Sequence, residues 1–319
     1  VKVLATGASG FLGRAVVVAL QDAGHEVRTL QRRPSGMAGA DDRLGSVTDP
    51  DATASAVTGV DAVVHLAAKV SLAGDPAEFQ AVNVEGTRTL LDAASAAGVS
   101  RIVHISSPSV AHAGHALAGV GAEPADPVAA RGEYARTKAE AELLALGRAG
   151  ATASVVAIRP HIVWGPGDTQ LIARVVDRAR RGRLPLLNGG TALIDSTFVD
   201  NAASGIVAAL ERVDDVSGRA YVLTNGEPRP VGDLLAGICR AAGVRPPAFS
   251  VPAGLARAAG SLVERVWAVR PGTDEPPMTR FLAEQLSTAH WFDQTEIRRD
   301  LHWTPRVSID EGLRRLSRA

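Results

Sequence analysis

The sequence predicts an α/β fold, a doubly wound parallel sheet with a smaller and less regular C-terminal domain. Three observations carry this. Short, continuous apolar runs alternate with helical patterns through the first half of the chain. Strands of that kind are buried on both faces, as in a parallel sheet covered by helices on each side. Glycines stand at Gly7, Gly10 and Gly13, where the first apolar run turns into a helix. After Pro160 the rhythm breaks into turn-rich stretches such as "WGPGD" and "LNGG".

In chain order, Val1–Ala5 reads as a buried strand and Phe11–Ala23 as a helix that Gly24 can close. His25–Leu30 is a second strand, Asp51–Val57 a helix, and Val60–Ala68 ("VDAVVHLAA") another strand. Pro76–Ala97 reads as one helix with Phe79, Val82, Leu90, Leu91 and Ala94 mostly on one side, followed by Gly98. Arg101–Ser107 is a strand, Tyr134–Leu146 a helix and Ser154–Pro160 a strand. Right-handed crossovers then give a doubly wound sheet. Residues 1–160 make the first domain and 194–224 return to it, while 161–193 and 225–319 belong mainly to the second.

The chain has 319 residues, with Lys+Arg and Asp+Glu both 34, so no global charge draws it to nucleic acid or anionic membrane. Cys239 is the one cysteine, which excludes an internal disulfide and a cysteine-based metal site; no metal is expected. No secretory leader is read ahead of the first strand, and no apolar run reaches the roughly 18 residues of a membrane span. The expectation is a cytoplasmic protein, at most peripheral at a membrane. A homodimer and weak association with lipid or pathway enzymes are compatible with it.

The opening T-G-A-S-G-F-L-G lies between strand and helix, the context in which a glycine motif is informative. Gly7 can take the tight turn, Gly10 lets backbone approach a pyrophosphate, and Gly13 permits close helix–strand packing. Ser9, Phe11 and Leu12 complete the loop, and the helix start offers free N–H groups to phosphate. A tight turn without a ligand is the alternative. At the end of the second strand, where an acid would bond a ribose 2′-hydroxyl, the sequence reads Gln31-Arg32-Arg33. Guanidinium suits a 2′-phosphate, so NADP(H) is the expected cofactor, with NAD(H) left open. Two solvated surface arginines are the competing reading.

"GEYARTKAEAE" places Tyr134 and Lys138 four residues apart on one helical face. A nearby ammonium favours phenolate, so Lys138 is expected to lower the tyrosine's pKa. With only two tyrosines and three lysines (Lys2, Lys69, Lys138) in the chain, a chance pairing is rare. Ser106 and Ser107 end the strand "RIVHISS", where ligands of a doubly wound sheet sit. A serine there either orients a substrate carbonyl or bonds local backbone.

T-G-A-S-G-F-L-G, "HLAA", "AVNVEGT", "SS" and Y-x-x-x-K, in this order, resemble an extended short-chain dehydrogenase/reductase with a Rossmann fold, over essentially the whole chain. The resemblance implies Ser107 as the carbonyl-orienting serine, Tyr134 as proton donor or acceptor, and Lys138 as ribose binder and tyrosine activator. It places Leu66, Ala67 and Ala68 along the cofactor, Asn83 in the supporting network, and Pro160, Ile162 and Val163 beside the nicotinamide. One departure stands out. The third strand usually ends in Gly-Asp-Leu, and Gly45-Ser46-Val47 here puts the usual adenine contact in doubt.

"SSPSV", "RPHIVWGPGD", "STFVDNAA" and "LTNGEP" resemble the branch of 3β-hydroxysteroid and sterol-4α-carboxylate 3-dehydrogenases. "EPPMTRFLAEQLSTAHWF" and "PRVSIDEGLRRL" look closest to the 2-alkyl-3-oxoalkanoate reductases of bacterial long-chain olefin synthesis. That likeness implies NADPH-dependent reduction of a hydrophobic β-keto acid. Lys69, His161 and Arg280 are candidates for its carboxylate, against a structural role for each. Leu255, Ala258, Leu262, Val263, Val266 and Val269 recur at helical spacing, either packed on the core or forming an apolar lid. A nucleotide-sugar epimerase or dehydratase and a non-enzymatic NADP-binding scaffold are the rival readings.

Overall fold

The computed structural model describes residues 1–71, 74–111, 116–269 and 280–318, and of 264–269 and 280–282 the backbone only. The first half comprises β1 (Lys2–Thr6), α1 (Phe11–Asp22), β2 (Glu26–Gln31), β3 (Asp41–Leu44), α2 (Pro50–Val57), β4 (Ala62–His65), α3 (Pro76–Phe79), α4 (Gly86–Ala96), β5 (Arg101–Ile105), β6 (Leu117–Val120), α5 (Glu133–Leu146) and β7 (Ser154–Pro160). There follow β8 (Val163–Trp164), α6 (Leu171–Arg180), β9 (Leu186–Leu187), β10 (Leu193–Ile194), β11 (Thr197–Phe198), α7 (Val199–Glu211) and β12 (Ala220–Leu223). The chain ends with β13 (Arg229–Pro230), α8 (Val231–Ala241), β14 (Ser250–Val251), α9 (Ala253–Val269), α10 (Arg280–Ser287), β15 (His290–Phe292), α11 (Thr295–Leu301) and α12 (Ile309–Leu316).

Seven parallel strands form the main sheet in the order β12-β7-β5-β4-β1-β2-β3. Side chains alternate across it. Val3 and Ala5 pack with Val16, Leu20 and Ile206 of α1 and α7. Leu4 packs on the other face with Val57 of α2 and Leu90 of α4. Burial on both faces is why these strands read as unbroken apolar runs. The chain winds outward from β1 through β2 to β3, then crosses back to β4 and winds the other way. The connections after β1 and β4 lead to opposite faces of the sheet, to α1 on one and α4 on the other, and leave a crevice at the carboxyl ends of these strands.

Several boundaries differ from the sequence reading. The strand expected over Val60–Ala68 is confined to Ala62–His65. Beyond it, side chains take over the backbone: Ala67 N–H donates to Thr6 Oγ1 (3.1 Å) and Lys69 N–H to Asn83 Oδ1 (2.7 Å). The strand from Arg101 stops at Ile105, and Ser107 lies ahead of a 3₁₀ turn over Pro108–Ala111. The single helix expected over Pro76–Ala97 is interrupted by a π-helical segment, Gln80–Glu85, which carries Asn83. Such segments often mark functional sites.

The short strand β12 returns to the main sheet beside β7 after an excursion of some sixty residues, and α7 lies against α1. Ile297, Leu301 and Trp303, from the C-terminal stretch, also join that core. A four-stranded sheet, β13-β10-β15-β6, unites segments far apart in sequence. Among the described side chains of α9 the buried positions are the small residues Ala253, Ala256 and Gly260. Leu255 and Leu262, expected mainly to pack on the core, are 65% and 63% exposed. Val266 and Val269 lie outside the described side chains.

Candidate active site

Gly7 turns the chain at φ +73, and a Cβ there would lie 2.8 Å from Ala67 N. A Cβ on Gly13 would lie 2.3 Å from Gly7 O and 2.8 Å from Ala8 Cα, both backbone. The three-glycine loop is thus closed on itself and against the segment after β4. Gly10 caps α1 with extended backbone and no side-chain bond, and Ser9 beside it is exposed. The first N–H groups of α1, at Phe11, Leu12 and Gly13, are left for an anion. Gly13→Ala is expected to lower stability by about 1–3 kcal/mol, because rigid backbone has to move. Thermal melting, with a fluorescence titration of cofactor, measures it; an unchanged melting point contradicts it.

At the end of β2 the side-chain amide of Gln31 is buried and has no hydrogen-bond partner among the described residues. Arg32 and Arg33 are exposed. Ser46 bonds Thr48 through its hydroxyl (2.8 Å), whereas Val47 is a core residue.

Behind the crevice runs a buried polar network that fixes its own direction. Thr6 Oγ1 lies 2.7 Å from His65 Nδ1, and His65 Nε2 lies 2.9 Å from Thr87 Oγ1. Thr87 donates its proton to Asn83 O (2.6 Å), so His65 Nε2–H must donate to Thr87 and Nδ1 must accept from Thr6. Asn83 in turn donates to Thr137 Oγ1 (3.0 Å) on α5 and grips the backbone of Lys69 on both its N–H and carbonyl. Burial, with the charge of Lys138 second, pushes the His65 imidazole down to about 3. It is a neutral strut.

Tyr134 and Lys138 share one face of α5. Lys138 is 3% exposed and donates to Ile105 O (2.5 Å) at the end of β5. Burial lowers its pKa to about 8, opposed by the carboxylate of Glu142 one turn on. Contrary to the sequence expectation, the phenol of Tyr134 is raised, not lowered. Burial of the ring dominates, a hydrogen bond with Ser107 opposes it, and the ammonium is engaged at Ile105. Of the two strand-end serines, Ser107 is the one on the open side with Ser109, hydroxyl to hydroxyl at 2.9 Å. Ser106 is buried and its hydroxyl has no partner among the described residues.

Pro160 ends β7, and Ile162 follows in the left-handed region at φ +44, a strained conformation for a β-branched residue. Thr197 clamps it, its N–H on Ile162 O (3.1 Å) and its hydroxyl on His161 O (2.7 Å). Val163 continues into the pairing with β11. His161 is buried, with Nδ1 at 2.6 Å from Asp195 O. Lys69 is tied to Glu78 and lies 5.2 Å from the Phe79 ring, so its charge is already countered. The side chain of Arg280 lies outside the described residues.

The model of the NAD dependent epimerase/dehydratase family matches residues 3–224, which spans β1 to β12, the whole of the main sheet. The chain belongs to that family. As an NAD dependent epimerase/dehydratase family member, it is 40% identical over 324 residues to the 2-alkyl-3-oxoalkanoate reductase of Stenotrophomonas maltophilia (strain K279a), covering 99% of this chain and 98% of that one. It is 35% identical to the 2-alkyl-3-oxoalkanoate reductase of Shewanella oneidensis, over 98% of this chain and 84% of that protein. Among solved structures it resembles a short-chain dehydrogenase/reductase superfamily protein from Agrobacterium tumefaciens with bound NAD (TM-score 0.78, 26% identity, 100% and 96% of the two chains). The relatives named here are reductases, and the protein is an enzyme of the dehydrogenase/reductase class that acts on hydroxyl and keto groups.

The residues present fit the family's dinucleotide. Gly7 and Gly13 close a loop that no Cβ enters, α1 offers an uncapped N-terminus, and the Gln31 amide is buried without a described partner. His65, Thr87, Thr137 and Ser109 were not read from the sequence. "HLAA" and "AVNVEGT" contain two of them, but the partnership of His65 with Thr87 needs β4 and α4 side by side.

Proposed function

We propose that the protein reduces a ketone to a secondary alcohol with NADPH, the substrate being a 2-alkyl-3-oxoalkanoate and the product its 3-hydroxy acid. The observation that carries the reaction type is the convergence of Ser107, Tyr134 and Lys138 at the carboxyl end of β5, with Ser107 bonded to the Tyr134 hydroxyl and Lys138 to Ile105 O. Reduction needs a proton donor at the carbonyl oxygen, and the Tyr134 hydroxyl beside Ser107 is placed to be one. The substrate class rests on the two reductases at 40% and 35% identity.

In this reading the cofactor, held by the Gly7–Gly13 loop, Leu66 to Ala68 and the Pro160–Val163 segment, supplies the hydride. Ser107 donates a hydrogen bond to the substrate carbonyl oxygen and orients it. Tyr134 passes its phenolic proton to that oxygen as negative charge grows there. Lys138 keeps a positive charge behind the phenolate left on Tyr134, offsetting its burial. Asn83 holds α5 and the Lys69 loop together so that these groups stay in register. Residues 1–160 with 194–224 form most of the cofactor-binding part, and 161–193 and 225–319 mainly shape the substrate side. No helix among the described residues is long and apolar enough to cross a membrane.

The test is NADPH absorbance followed against β-keto acids, 3-oxosteroids and UDP-sugars. Stoichiometric NADPH oxidation with long-chain β-keto acids supports the proposal. Turnover confined to steroids, or sugar epimerisation with retained NAD and no net oxidation, overturns it.

The NADPH preference rests on Gln31-Arg32-Arg33, where no carboxylate repels a 2′-phosphate. Both arginines are exposed, so solvent weakens each contact. Replacing both Arg32 and Arg33 by Ala is expected to lower kcat/KM for NADPH by about tenfold. NADH kinetics should hardly change, and the difference should shrink with added salt. Equal use of the two cofactors by the unaltered enzyme would refute the preference.

A further inference from the structure

We propose that Ser109 is a positioning residue that fixes the direction of the Ser107 hydroxyl. The inference rests on the reading of Ser107 as the donor to the substrate carbonyl. A serine hydroxyl has one proton and two lone pairs, and its rotor is otherwise free to turn. If the Ser107 proton pointed back into the turn at the Ser109 oxygen, Ser107 could only accept from the crevice side, and a carbonyl there would find no donor.

The local chain places donors of Ser109 around Ser107 Oγ that favour the opposite direction. β5 ends at Ile105, and Ser106 makes one more strand-like bond, its N–H to Ile158 O (2.7 Å), with its hydroxyl turned inward. The 3₁₀ turn over Pro108–Ala111 then brings the next serine back beside Ser107, with Val110 N–H on Ser107 O (3.2 Å). Pro108 is buried at the start of this turn, where its fixed φ stiffens the backbone. As a result Ser109 N–H donates to Ser107 Oγ (3.3 Å), and Ser109 Oγ lies 2.9 Å from the same atom.

The N–H contact has only one direction, since an amide nitrogen cannot accept. It occupies one lone pair of Ser107. When the Ser109 hydroxyl donates to the other, both lone pairs are filled and the Ser107 proton points away from the turn. Both serines are partly exposed while Ser106 is buried, so the released proton faces the crevice side shared with Tyr134. Ser109 touches no reacting atom in this scheme. It acts through Ser107.

The experiment is a double-mutant cycle on the hydride-transfer step with NADPH and a ketone that the enzyme reduces. The variants are Ser107→Ala, Ser109→Ala and the two together. Ser109→Thr and Ser109→Val are added as a pair of equal shape, one with and one without the hydroxyl. Ser109→Ala and Ser109→Val are expected to lower kcat about tenfold with KM for both substrates nearly unchanged. Ser109→Thr should stay within about threefold of the unaltered enzyme, and adding Ser109→Ala to Ser107→Ala should cause no further loss. Losses that multiply across the cycle, equal rates for Thr and Val, or an effect confined to KM overturn the inference while leaving Ser107 in place. A Ser107→Ala enzyme of undiminished rate removes both assignments together. Melting curves accompany each variant, and the Thr/Val comparison decides the matter should the alanine variant fold poorly.

Discussion

Tyr134→Phe is expected to lower kcat by about 10²- to 10⁴-fold, the range that a positioned general acid contributes. Cofactor affinity should change little. The aromatic ring that packs in the site is retained, and only the proton that must reach the substrate oxygen is gone. Single-turnover hydride transfer beside a cofactor titration separates the two effects. A near-unaltered rate would remove Tyr134 from the mechanism. The same site predicts a pH profile. With Lys138 at about 8, its ammonium dominates below that pH and is lost above it, so turnover should fall as pH rises through about 8. Stability runs the other way. The folded value lies below the ordinary 10.5, so the unfolded chain binds more protons between about 8 and 10.5. This lysine therefore weakens the fold below that window, and its contribution improves as pH climbs through it. Loss of activity without loss of the fold near pH 9 is the signature to look for, by rate and circular dichroism on the same samples.

Glu142→Ala is expected to lower stability by about 3–5 kcal/mol, the range for breaking a buried ion pair by removing one partner. Arg159 is 1% exposed and donates through both Nε (2.8 Å) and Nη2 (2.5 Å) to the two carboxylate oxygens of Glu142, a fork matched to its partner. Its Nη1 donates to Glu123 O (2.7 Å). Without the carboxylate, a desolvated guanidinium is left on β7. Urea denaturation measures the loss. The double replacement Glu142→Leu with Arg159→Met should recover a large part of it, because two apolar side chains of similar volume remove both charges. An alanine variant of full stability would contradict the account. Glu142→Gln adds a functional readout. Glu142 is what opposes the burial of Lys138, so its neutral form should move the alkaline limb of the pH profile to lower pH.

By itself the sequence determined the parts of this protein whose signal is local. Strands such as Val3–Ala5 and Val155–Ile158 are covered on both faces, so each appears as a continuous apolar run wherever its partners come from. The glycine loop was legible because part of its constraint lies within seven residues, Gly13 having no room for a Cβ against Gly7 O, whereas the approach of Ala67 to Gly7 is remote in the chain. Tyr134 and Lys138 were legible because a helix repeats every 3.6 residues and puts them on one face. What the tertiary structure alone decided involves partners remote in the chain. β3 is a short, polar edge strand, half exposed, and carries no apolar run to read. β6 and β15 are held by each other across 170 residues of sequence. The π-helical segment at Asn83 follows from bonds to Lys69 and Thr137, not from its own composition. The same holds for the charge states at the site. A lysine four residues from a tyrosine reads as its activator in sequence. In the fold, the ammonium reaches Ile105 O while burial sets the phenol, because desolvation depends on everything packed around a group and not on its neighbours in the chain.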